Sequence, residues 1–251
     1  MNRRHFLLTG IGACAICTGR AGAAPRDPLP PSLLERDRLP TLANLAARLH
    51  RLRQLVGYAR FNLVDLDQAR KLARRYQRVG AFEADELALL EHFFHTDPAP
   101  WGFHGPRVSD DLAQRIDDSE VSKIRGSGHY LYRGAAERLF ARLQCDIGEE
   151  LLLTSGVRNH LKQAQLFCDR LLATDGDYAA ATHWVAPPGH SYHASGDFDV
   201  GVAGLGGANF TDAFLDTDAA RHIARLDYAV QRYPADNPWG VAHEPWHIQV
   251  S

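Results

Sequence analysis

Leu42, Leu45, Leu49, Leu52 and Val56 recur at steps of three and four, so a helix through them carries one apolar stripe that Gly57 can end. A second helix is expected over Asp65 to Tyr76. A third is expected over Glu83 to Phe94, whose Glu and Asp residues suit the positive end of a helix dipole. Ahead of them, the prolines between Pro25 and Pro40 predict an extended lead-in, because each fixes its own φ and biases its predecessor away from helix. Thr96 to Gly102 reads as a loop, followed by helices over Ser109 to Ile116 and Ala135 to Leu143. Beyond Gly148 the period changes. Leu151 to Thr154 reads as a short strand ended by Ser155-Gly156, and Asn159 to Leu172 as a helix. From Thr182 onward the chain is rich in Gly, His, Pro and aromatic residues with little helical period, which favours strands and loops. The pattern as a whole predicts an α+β architecture.

The first two dozen residues follow a different logic. Met1 to Arg4 is basic and contains an Arg pair, Phe6 to Cys17 is apolar, and Ala21-Gly22-Ala23-Ala24 precedes Pro25. This order of charged, apolar and small-residue regions is that of an export signal, and Arg-Arg-x-Phe-Leu resembles a twin-arginine signal. The apolar stretch falls well short of the roughly 20 residues of a membrane-spanning helix, so no stable span is expected in the mature chain. The reading divides the 251 residues into a signal over 1–24, a helical extension over 25–133 and a catalytic domain over 134–251, with a periplasmic or otherwise exported location. A net charge of −2, with three of the 28 basic residues inside the signal, leaves no basic footprint for nucleic acid. Cys14 and Cys17 fall in the signal, so only Cys145 and Cys168 remain to pair in an oxidising compartment, and the sequence does not decide whether they do.

Five of the 13 histidines fall in two windows, His183, His190 and His193 in one, His243 and His247 in the other, with Asp197, Asp199 and Glu244 beside them. Imidazole and carboxylate together are the usual donors of a catalytic zinc site. His243-Glu244-Pro245-Trp246-His247 spells the zincin string, but Pro245 would break the helix that string requires, and His243 is not expected to be a ligand.

Three ordered segments point elsewhere. Ser191, His193 and Gly196 in the first His window, Glu244, Trp246 and His247 in the second, and Ser155-Gly156-Val157-Arg158 with Gln163 upstream resemble the zinc D-alanyl-D-alanine carboxypeptidases and dipeptidases, the VanY-like metallopeptidases. In that family the ligand Asp lies four residues after the Gly, whereas here Asp199 lies three after Gly196. Asp197 is the alternative, and Asp199 is preferred because Val200-Gly201 continue as the family does.

The resemblance implies a small antiparallel sheet carrying one Zn²⁺ held by His193, Asp199 and His247. It implies Glu244 as the base, Arg158 facing the substrate carbonyl or carboxylate, and Ser191 and Gln163 fixing the substrate. The activity it implies is hydrolysis of D-Ala-D-Ala or related bonds in peptidoglycan stem peptides, with carboxypeptidase, dipeptidase and endopeptidase left open. The competing reading is a non-hydrolytic zinc-stabilised module that binds peptidoglycan or a protein. Glu244 favours the enzyme, because a structural metal site has no need of a carboxylate beside an open position.

Overall fold

The computed structural model describes residues 32–250, so the expected signal and residues 25–31 of the proline-rich lead-in lie outside the described residues, and the rest of the lead-in is not extended throughout, since Arg36–Arg38 forms a 3₁₀ turn that runs into the first helix. The apolar stripe becomes α1 (Leu39–Val56), with Leu42, Leu45, Leu49 and Leu52 fully buried. Gly57 ends it at φ +88, which a side chain would resist. A single turn, α2 (Tyr58–Phe61), leads to α3 (Leu66–Arg75), where the Asp65 carboxylate caps the Gln68 amide. In α4 (Ala84–His95), Glu83 and Glu86 form a reciprocal capping box.

The helix expected over Ser109 to Ile116 does not form. The Asp111 carboxylate takes the Ala113 amide, Ser109 bonds Gln114, and the Val108 and Ser109 amides go to Gly189 O, so local side-chain bonds win over the helical ladder. A hairpin the sequence reading lacked follows, β1 (Val121–Lys123) and β2 (Tyr130–Tyr132), joined by a turn through Gly126 and Gly128.

The remaining elements are α5 (Ala135–Ile147), β3 (Leu151–Ser155), α6 (His160–Ala173) capped by Asn159, α7 (Tyr178–Thr182), β4 (Phe198–Val202), α8 (Asp218–Ile223), β5 (Val230–Tyr233) and β6 (Glu244–Gln249). The four strands pair antiparallel in the order β3-β4-β6-β5, giving the α+β fold that the pattern predicts. Residues on a strand alternate faces. Phe198, Val200, Trp246 and Ile248 therefore pack against Phe140 and Leu143 of α5 and Ile223 of α8, while Asp199 and His247, paired across β4 and β6, turn the other way.

A second core joins α1, α3 and α4 to α6 and α7 through Leu45, Leu49, Phe93, Leu161, Phe167 and Tyr178. The helical extension thus has no core to itself and leans on α6. Cys168 is buried in α6 and Cys145 is exposed on α5, both as free thiols. His92 meets the rings of Trp101 and Tyr178. No described helix is long and apolar enough to cross a membrane.

Glu86 carries two duties, since its carboxylate holds the Glu83 amide at 2.9 Å and the buried Arg48 guanidinium at 2.7 and 3.1 Å. Glu86→Ala is expected to cost about 3–5 kcal/mol by leaving Arg48 buried without a counter-charge. Arg48→Met combined with Glu86→Leu should recover most of it. Urea unfolding of the three proteins measures both, and equal losses in the single and double variants would refute the pairing.

Candidate metal centre and active site

Three tight local structures converge on one point. In the first, Gly156 follows β3, and a Cβ there would sit 2.0 Å from Tyr130 O, so only glycine lets the hairpin approach. That approach turns Gly156 O toward His193 Nδ1 at 2.8 Å and leads the chain into Arg158, whose amide bonds His193 O. In the second, Ser191 opens a 3₁₀ turn, Tyr192–Ala194, and Gly196 at φ +124 swings the chain into β4. The third is the β4 and β6 register, which sets Asp199 opposite His247.

The result is a cluster in which one donor atom each of His193, Asp199 and His247 lie within 4.8 Å of one another, all three residues buried. His193 Nε2 is 3.3 Å from Asp199 Oδ2, and His247 Nδ1 is 3.1 Å from Asp199 Oδ1 and 3.3 Å from Glu244 Oε2. The opposite nitrogens are anchored, His193 Nδ1 on Gly156 O and His247 Nε2 on Asp197 Oδ2 at 3.1 Å. This fixes each ring's orientation, as bonds to the far nitrogen do in metal sites.

Asp197, the alternative ligand, lies behind His247 instead of in front of it. It is fully buried and accepts from Arg232 at 2.6 and 3.1 Å and from the Val250 amide. Burial pushes its carboxyl up, but the bonds from His247 and Arg232 outweigh this and hold it below the usual range. Asp199 is likewise raised by burial and lowered further by His193 and His247, so it is a carboxylate. Its Oδ1 is buried and makes no hydrogen bond.

Two imidazoles, one carboxylate and an unsatisfied acceptor among them fit a Zn²⁺ ion. Burial alone would lower the His247 pKa, yet the carboxylates around it raise it well above its ordinary value. A cation entering the cluster displaces the Nδ1 proton.

Glu244 stands at the edge of the cluster with 16% of its side chain exposed, and burial raises its pKa. Arg158 lines the same cavity, braced by Ser155 Oγ at 2.8 Å and Gln163 Oε1 at 2.9 Å, with Asp199 at 3.6 Å. Gln163 also donates to Ala186 O at 2.6 Å, so in this structure it holds Arg158 in place. Ser191, Gln163 and the metal cluster all line one cavity of about 350 Å³.

The same cavity receives residues that sequence reasoning missed. Tyr233, opposite Glu244 on β5, sets its ring 4.8 Å from that of His247. Lys162 and Leu166 of α6 form its wall with Tyr58 of α2 and His129. Arg232 gave no signal at all. His190 bonds Gly105 O and Pro106 O beside a different cavity, and His183 bonds Gly240 O at the surface.

Asp197→Asn is expected to weaken zinc affinity about 10- to 100-fold by loosening His247. Competition with a chromophoric chelator measures it, and unchanged affinity would show that Asp197 serves Arg232 alone. Lys162 offers a second check. Burial and nearby Arg158 push its pKa from 10.5 down to about 8, so between those values the unfolded chain holds the extra proton and stability rises with pH. The penalty is complete below about pH 8. Lys162→Met should therefore stabilise the protein at pH 7 by of order 2–3 kcal/mol. The gain should shrink by pH 10 in urea titrations, and no gain at pH 7 would mean that the ammonium is paired in solution.

Residues 129–250 match the family described as VanY: D-alanyl-D-alanine carboxypeptidase. No curated protein matches the chain in sequence. Among solved structures, it is similar to a vancomycin-resistance D,D-pentapeptidase VanY variant in complex with Zn(II), at 24% identity over 52% of this chain and 78% of that one, TM-score 0.40. It is also similar to VanYB in complex with D-alanine-D-alanine, at 23% identity over 58% and 82%, TM-score 0.41. A third is the LdcB LD-carboxypeptidase, at 23% identity over 54% and 69%, TM-score 0.44. Residues 129–250 are a VanY-family domain.

Proposed function

We propose that this chain is an exported zinc peptidase that removes the terminal D-Ala from peptidoglycan stem peptides, as a D,D-carboxypeptidase. The observation that carries the reading is the His193, Asp199 and His247 cluster with Glu244 3.3 Å from His247 and Arg158 3.6 Å from Asp199, all lining one cavity. The family match over residues 129–250 supports the reaction class, and the order of residues in the first 24 positions supports export.

Zinc held by the three ligands would supply Lewis acidity and bring a water's pKa near neutrality. The protein's part is proton transfer and charge placement. Glu244 Oε2 is the acceptor for the water proton, and its raised pKa lets it return that proton to the leaving amine. The Arg158 guanidinium, fixed by Ser155 and Gln163, faces the negative charge that develops on the carbonyl oxygen. Because both braces come from the protein, little reorganisation is left for the moment of reaction. Tyr233, with its ring 4.8 Å from that of His247, limits water around the site.

The test is D-Ala release from a peptide ending in D-Ala-D-Ala, using the mature protein before and after chelation and with zinc restored. Release that chelation abolishes and zinc restores is expected. Glu244→Gln should keep stoichiometric zinc and lose about 10²- to 10⁴-fold in kcat, whereas His247→Ala should lose both. Stoichiometric zinc without release from any D-Ala-D-Ala peptide would reject the peptidase assignment.

A further inference from the structure

The metal cluster occupies one side of the cavity. Lys162 and His129 line the same cavity, and the reaction uses neither. Lys162 is only 6% exposed, and its ammonium has Gln165 Oε1 at 3.1 Å and the Tyr58 ring at 5.7 Å, with no carboxylate in ion-pair range among the described residues. Arg158, four residues earlier, has Asp199 for a counter-charge; Lys162 has none.

His129 is 5% exposed, and its Nδ1 is buried without a partner. Its Nε2 lies 3.5 Å from the Tyr58 hydroxyl, and burial holds the ring neutral, with the pKa pushed down to about 4. The neutral ring has two tautomers, and in the one protonated at Nδ1 that buried nitrogen is a donor with no partner. A buried ammonium without a counter-charge and a buried ring nitrogen without a partner both cost stability unless a ligand meets them. Both touch Tyr58, which stands half exposed on α2 at the rim of the cavity. Tyr58 lies in the helical extension, outside the family-matched segment.

We propose that Lys162 and His129, with Tyr58 at the rim, form an anion subsite that takes a free carboxylate of the substrate peptide. The carboxylate has two oxygens for two donors and supplies the counter-charge that Lys162 lacks. This deepens the peptidase reading and rests on it for the identity of the substrate. The carboxylate has two sources in a peptide, its C-terminus or an acidic side group near the scissile bond, and the subsite chemistry is the same for both.

Three peptides with one D-Ala-D-Ala bond separate these sources: one with both carboxylates free, one amidated at the C-terminus and one amidated at the side group. Wild type should favour the free acid over one of the two amides by ~10-fold or more in kcat/KM, chiefly through KM. Lys162→Met should bring that ratio close to one, and Lys162→Arg should restore part of it. The amide that matters names the source. Equal zinc content in all variants shows that the metal centre is intact. A wild-type ratio near one for both amides, or a ratio that survives Lys162→Met, overturns the subsite.

If no peptide is cleaved, the peptidase reading fails, and the subsite is judged by calorimetry with the uncleaved free-acid peptide. Weaker binding to Lys162→Met than to wild type supports it, and equal binding rejects it.

Discussion

The orientation of the His247 imidazole is the constraint on which the site depends. One nitrogen faces Asp199 and Glu244, the other the buried carboxylate of Asp197, and Asp197 is itself held by a two-point bond from Arg232. A carboxylate this deep is tolerable only because each of its oxygens is matched. The chain of contacts runs from β5 through the turn before β4 to β6, so three elements must be in register before the ring is aimed. Strand pairing alone would not achieve this, since it places Asp199 opposite His247 but leaves the ring free to rotate.

The second constraint is the sharing of α6 between two jobs. Leu161, Phe167 and Leu171 face the helical extension, and Lys162, Gln163 and Leu166 face the cavity. An α-helix of 14 residues offers both faces at once. The extension therefore stiffens the wall of the site, and through Tyr58 it also reaches the rim. His193, Asp199, His247 and Glu244 lie in the family-matched segment, while Tyr58, which lines the same cavity, comes from outside it.

Most of the helices were legible because their apolar spacing is regular and their caps are strong, as with Leu42 to Leu52, Asp65, Glu83 and Asn159. The segment from Ser109 to Ile116 was misread because its polar residues suit a helix as well as a loop, and only the tertiary bonds to Gly189 decide between them. The β1 and β2 hairpin was missed because three-residue strands leave no period to detect. In the site, the ordered motifs named His193, Asp199 and His247, which the fold gathers into one cluster, and preferred Asp199 to Asp197. β4 starts at Phe198, so Asp197 lies outside the strand's alternation and turns behind His247. Residues that act from non-motif positions, Arg232, Tyr233 and His129, carry no signal until the chain is folded.

Lys162 and Arg158 show what the cavity is built to receive. Two cations and a neutral imidazole line a space whose carboxylates, Asp199 and Glu244, are committed to the metal cluster or the base. A site serving only to hold zinc for folding would gain nothing from a buried ammonium without a partner, because the metal is already matched by Asp199 and the lysine only costs stability. A substrate with its own negative charge removes that cost upon binding, so the strain in the free protein becomes affinity in the complex. The arrangement thus couples two terms that would otherwise be unrelated. The destabilising burial of Lys162 and the preference for an acidic peptide are the same interaction, seen without and with the ligand.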